Sequence, residues 1–170
     1  MERSRDDYRS GVIKVKFVVY WVGQGVMVTV DLIGRVRQWD LNEMCMVKEY
    51  GPEGEGEGEG EGVICSIVGT RDGEWFFVGD CGGRVRGYSV GGRCLGKDFG
   101  RIHRKAVKVV YATADSKMLI SADLGGNINV FSIELGSLAK YFPRAHDSAI
   151  TSIVATPKGD IYASGDIGGS

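Results

Sequence analysis

Asp123-Leu-Gly-Gly126-Asn-Ile-Asn129 is the third of four near-copies of one phrase in this 170-residue chain. Asp31-Leu-Ile-Gly34-Arg-Val-Arg37 and Asp80-Cys-Gly-Gly83-Arg-Val-Arg86 precede it, and Asp166-Ile-Gly-Gly169-Ser170 follows. The leading aspartates stand 49, 43 and 43 residues apart. A phrase that recurs at a fixed period marks one supersecondary unit copied, and a period of about 40–45 residues is that of a four-stranded blade. The longer first interval holds residues 51–62, a Glu-Gly alternation found in no other repeat. That tract reads as an insertion in a connecting loop between otherwise regular units.

Working outward from the turns, each repeat divides into short β-rich runs bounded by turn residues. The first predicts strands at 12–20, 26–30, 35–39 and 44–50, and the second at 63–68, 75–78, 84–88 and 93–99. The third predicts 106–112, 118–121, 127–131 and 138–142, whereas the fourth supplies only 149–155 and 161–164. No segment sustains the 3.6-residue periodicity of an amphipathic helix. The second strands are apolar on both faces (Val26-Met-Val28, Trp75-Phe-Phe-Val78, Met118-Leu-Ile120). Sheets covered on both sides read this way, and radial stacking covers both sides of every sheet. The expected fold is all-β, a partial β-propeller of about three and a half four-stranded antiparallel blades. Its units are a polar tail (1–10), blade one (11–50), the acidic Glu-Gly loop (51–62), blade two (63–99), blade three (100–142) and a truncated blade four (143–170). In each turn the glycine supplies a positive φ, and the aspartate accepts bonds from its own turn.

Bulk properties narrow the function. A net charge of −1 and 43% apolar residues suit a packed core and argue against nucleic-acid or membrane-surface partners. No apolar run approaches the roughly 18 residues of a membrane helix, and the charged N-terminus is no signal peptide. Cys45, Cys65, Cys81 and Cys94 lack C-x-x-C spacing and read as reduced thiols.

Trp39-Asp40 closes the third strand of the first repeat; Tyr88-Ser89 and Phe131-Ser132 are weaker copies. Ile102-His103 and Ala145-His146 each lead, 18 residues on, to Ser121 or Ser164, and 20 residues on to Asp123 or Asp166. His146-x-x-x-Ile150-x-x-Ile153 and Pro157-Lys-Gly159 complete the pattern. Over residues 11–170 the chain resembles the WD-repeat family. That resemblance implies a propeller in which a His, a Ser or Thr, a Trp and a turn Asp form a buried network within each blade. Asp31, Gly34, Trp39, Asp40, Asp80, Gly83, His103, Ser121, Asp123, Gly126, His146, Ser164, Asp166 and Gly169 are the matching structural positions. No blade has the full set: Gly11 and Gly60 stand where a His belongs, and Phe131 replaces the Trp. The aspartates lie earlier in the turn than is usual for the family. Hydrophobic stacking is therefore expected to hold the blades more than polar networks do.

Family members usually close a ring of seven or eight blades, so the chain is expected to be a fragment, with the remaining blades supplied by further sequence. No phosphate loop, G-x-S-x-G elbow or H-E-x-x-H occurs, and both histidines are fixed by the repeat. The expectation is a non-catalytic protein without cofactor or metal, acting as a protein-interaction scaffold in a larger assembly. The alternative is a regulatory propeller of a larger multidomain protein, cytoskeletal or ciliary, or fused to a catalytic or calcium-binding segment. Its compartment would be the cytoplasm, with cytoskeletal or nuclear placement as variants. Contacts are expected at Arg101, Arg104, Lys105, Arg144 and Asp147, with Glu43 and the Asp-x-x-Gly turns beside them. The acidic tract reads as a tolerated insertion or a lure for a basic peptide. Arg35/Arg37 and Arg84/Arg86 read as side chains whose stems cover blade edges while their heads stay wet, or as a surface for an acidic protein partner.

Overall fold

A computed structural model describes residues 15–50, 63–91, 96–156 and 161–170. The expected tail (1–10), the start of the first strand, the Glu-Gly tract and the Pro157-Lys-Gly159 turn lie outside the described residues. What is described is all β apart from one three-residue 3-10 turn, Val22–Gln24.

The first sheet runs β1 (Val15–Trp21), β2 (Val26–Asp31), β3 (Val36–Asp40) and β4 (Cys45–Tyr50). The second runs β5 (Ile64–Gly69), β6 (Trp75–Asp80), β7 (Arg84–Ser89) and β8 (Lys97–Arg101). The third holds β9 (Val107–Ala112), β10 (Met118–Asp123), β11 (Ile128–Ser132) and β12 (Ser137–Phe142), and β13 (Ile150–Ala155) and β14 (Tyr162–Asp166) form a hairpin. All neighbours are antiparallel and follow chain order.

The second strands run further than expected, into the turn aspartates. The reason is a backbone bond across each turn: the Asp31 N–H donates to the Arg35 carbonyl at 3.0 Å, and Asp123 to Asn127 at 3.1 Å. The copying extends to irregularities. Each first strand carries a bulge at the same place, between Val15 and Phe17, Ile64 and Ser66, and Ile150 and Ser152, with β9 matching opposite Asp123.

The core lies between sheets rather than within one. Val28, Val30, Val36 and Tyr50 of the first sheet meet Ile64, Phe76, Val78 and Val90 of the second. Phe77 and Val85 turn the other way, onto Val107, Leu119, Phe131 and Ile133 of the third. Adjacent Phe76 and Phe77 are thus both fully buried, which is why the second strands show no polar alternation. Each contributes on the order of 2–3 kcal/mol. Successive sheets approach most closely at their first strands, β1 on β5, β5 on β9 and β9 on β13.

Candidate functional site

Antiparallel pairing puts two kinds of connection at one end of every sheet: the Asp-x-x-Gly turns and the loops that lead from one sheet to the next. The Asp31 carboxylate accepts bonds from the Ile33 and Arg35 N–H groups at 3.1 and 2.9 Å. Asp80 accepts from Arg84 at 2.9 Å, Asp123 from Gly125 and Asn127 at 2.8 and 3.0 Å, and Asp166 from Ser170 at 2.9 Å. Gly34, Gly83, Gly126 and Gly169 hold φ of +87°, +86°, +80° and +87°. The next loop is then tied to the turn: His103 N–H donates to the Gly83 carbonyl at 3.1 Å, and His146 to Gly126 at 3.2 Å.

The buried carboxylates need a partner at their second oxygen. In the first repeat Arg37 supplies it, 3.0 Å from Asp31 and 2.9 Å from Glu49, with its side chain only 6% exposed. Arg86 does the same for Asp80 at 3.3 Å. The expectation of a wet head is therefore wrong for Arg37, whereas Arg86 is half-buried, with its side chain 23% exposed, and Arg35 and Arg84 are exposed. The strand position of Arg37 and Arg86 is Asn129 in the third repeat, and there His103 takes over, its Nδ1 3.2 Å from Asp123. His146 stands 3.4 Å from Asp166. Neither Nδ1 meets full hydrogen-bond geometry to its carboxylate. Arginine replaces histidine where histidine is missing. Repeat alignment alone contained this signal.

The same histidines meet Ser121 and Ser164 through Nε2, at 2.8 and 2.7 Å. Although the aspartates sit early in the turn, they still reach the histidines, so the third and fourth repeats carry Asp-His-Ser chains. In the first repeat the Trp39 indole N–H donates to Thr29 at 2.9 Å. Asp-His-Ser is also the atom set of a hydrolase triad, but Ser121 and Asp123 are 0% exposed, and no acyl carbon can approach that Oγ. Ser164 is half-buried, on a strand that among the described residues pairs with β13. Burial pushes His103 below its ordinary value, and the nearby Asp123 only partly opposes this. Burial works to raise the Asp123 carboxyl, but the donors on Asn127 and Gly125 outweigh it and hold it low. Among the described residues no three His, Cys, Asp or Glu side chains converge as a metal requires.

Around this frame lies a charged surface. Arg101, Arg104, Lys105, Arg144 and Asp147 are all exposed at the loop end. Arg104 and Arg144 flank a cleft of about 430 Å³ that also touches His103, Asn127 and Tyr141. Among the described residues none of the four cations has an ion-pair partner. Arg84 and Arg101 face each other directly across β7 and β8. Like charges so placed are destabilising. Glu43 does not belong to this surface: the β3–β4 turn, capped by Asp40 bonds to Asn42 and Glu43 at 2.8 and 3.0 Å, lies at the opposite end of the sheet. Sequence reading missed Asn127 and Tyr141, which the repeat alignment treats as unremarkable turn and strand positions. No protein-family model and no curated protein matches this sequence.

Proposed function

We propose that the chain is part of a WD-repeat-like β-propeller, a non-catalytic interaction scaffold whose loop end receives an acidic segment of a protein partner. Support for the propeller comes from three sheets copied in register, bulges included, and joined most closely at their first strands. Rigidity supports the scaffold role: each turn is pinned by its aspartate, and the second and third are latched to the following loop. The observation that carries the partner class is the cluster Arg84, Arg101, Arg104, Lys105 and Arg144, exposed at one end and including a repulsive cross-strand pair. Such a pair is relieved when an anion sits between the two heads.

A fluorescently labelled Glu/Asp-rich peptide should bind the chain with an affinity that falls steeply with salt. The Arg104→Glu/Arg144→Glu variant should lose at least tenfold in affinity at unchanged melting temperature. Equal binding by that variant would refute the acidic-partner reading.

A further inference from the structure

Cys65 and Cys81 occupy two positions that the repeat copies throughout the chain. Cys65 is the extra residue of the first-strand bulge, where the other repeats have Lys16, Lys108 and Thr151. Cys81 follows the turn aspartate, where the others have Leu32, Leu124 and Ile167. The second repeat alone has a thiol at either position, and it has one at both. A copied backbone bond ties the two places together. The Cys81 N–H donates to the Val63 carbonyl at 3.1 Å, as Leu124 does to Ala106 and Ile167 to Ala149. The Cys65 thiol donates to that same Val63 oxygen, its Sγ 3.3 Å away. The Cys65 sulfur therefore lies beside the Cys81 backbone, with Cys81 exposed and Cys65 half-buried. Lys16 Nζ stands 2.8 Å from the adjoining Ile64 carbonyl. Burial pushes the Cys65 thiol up; Lys16 and Lys108 pull against it, and Cys81 adds to it.

We propose that Cys65 and Cys81 are a redox pair, which hydrogen peroxide converts into an intrachain disulfide between β5 and the β6–β7 turn. Cys81, the more accessible sulfur, reacts first. It attacks one peroxide oxygen; the S–O bond forms as the O–O bond breaks, and the other oxygen leaves as water with the thiol proton. The Cys65 sulfur then attacks the Cys81 sulfur. The S–S bond forms, the S–O bond breaks, and the hydroxyl leaves as a second water with the Cys65 proton. Each sulfur loses one electron and the peroxide takes both. Lys16 and Lys108 assist the second step, because positive charge beside Cys65 favours the attacking thiolate.

The probe is hydrogen peroxide, added to the full reduced chain and followed by alkylation and a non-reducing tryptic digest. Trypsin cuts at Arg71, between the two cysteines, so the bond is read as a linked pair of peptides. The Cys65–Cys81 link is expected in at least about tenfold excess over links to Cys45 or Cys94. In denaturant that preference should vanish, because the competing loops are of similar length. In Cys65→Ser, dimedone should trap Cys81 as its sulfenic acid, whereas in Cys81→Ser the Cys65 thiol should stay reduced at the same dose. Lys16→Gln/Lys108→Gln should raise the dimedone-trapped fraction of Cys81 about threefold, by slowing closure of the bond. All variants should keep the melting temperature of the reduced chain. Absence of the Cys65–Cys81 link once the peroxide is consumed, or equal links to Cys45 or Cys94, overturns the proposal. The same preference in denaturant would also overturn it, by showing that the fold does not bring the two sulfurs together.

Discussion

Each turn aspartate is met by whichever polar side chain the repeat can provide. Asp31 and Asp80 take an arginine from the third strand, and Asp123 and Asp166 take a histidine from the preceding loop. The two solutions differ in their response to acid. Arginine stays charged throughout, whereas the folded protein holds His103 below its ordinary value. As pH falls, the unfolded chain therefore takes up that proton first, at about 6.5. The His103 contribution is whole above that pH and declines below it. Asp123 behaves conventionally: its contribution is present above the ordinary carboxylate value and is lost only as pH falls through the lowered one. Replacing His103→Ala should cost about 2 kcal/mol at pH 7.5, because Ser121 and Asp123 lose a buried partner. Adding Asn129→Arg should return part of that loss and flatten the decline in stability between pH 7.5 and 5.5. Denaturant melts of the three proteins across that range check both statements; an unchanged slope in the double variant would contradict the exchange of roles.

At the level of the strand and turn, one glycine position in the repeat serves two purposes. All four turn glycines have positive φ, but their surroundings differ. Among the described residues a Cβ on Gly34 would meet nothing nearer than the Ile64 nitrogen at 3.9 Å, whereas on Gly83 it would collide with the His103 carbonyl oxygen. Against the described residues Gly34→Ala should cost the left-handed strain, about 1–2 kcal/mol. Gly83→Ala must also push the following loop away, and should cost at least about 1 kcal/mol more, with faster amide exchange at His103. Equal costs in the two melts would show that the turn and loop are not latched. The strands themselves were legible in the sequence, since turn residues punctuate every run and the second strands are apolar throughout. The close approach of loop to turn was not, because a glycine required by φ alone looks the same as one required by space. The wet-head reading of Arg37 failed for a related reason: a charged residue in an exposed-looking pattern becomes buried when the adjoining strand brings a carboxylate to it. The Tyr50 hydroxyl is similar. It donates to Gln38 at 2.6 Å, and burial pushes its pKa up to about 12. The Gln38 amide in turn donates to Val90 of the next sheet at 2.9 Å, a cross-sheet link with no sequence signature.

Over the whole molecule, the proposed propeller requires sheets that diverge from a shared line along their first strands. The bulge residues Lys16 and Lys108 sit at equivalent places on β1 and β9, and both act electrostatically on Cys65, the bulge residue of β5 between them. Lys48 and Lys140 are the equivalent pair on the outer strands, opposite Gln38 and Val130. A fan and a flat stack predict different spacings for these two pairs. Spin-label distances provide the direct test, with Cys45, Cys65, Cys81 and Cys94 replaced by serine and labels placed pairwise at 16/108 and 48/140. The fan predicts a clearly shorter distance for the inner pair than for the outer. Equal distances, or a shorter outer pair, would contradict it.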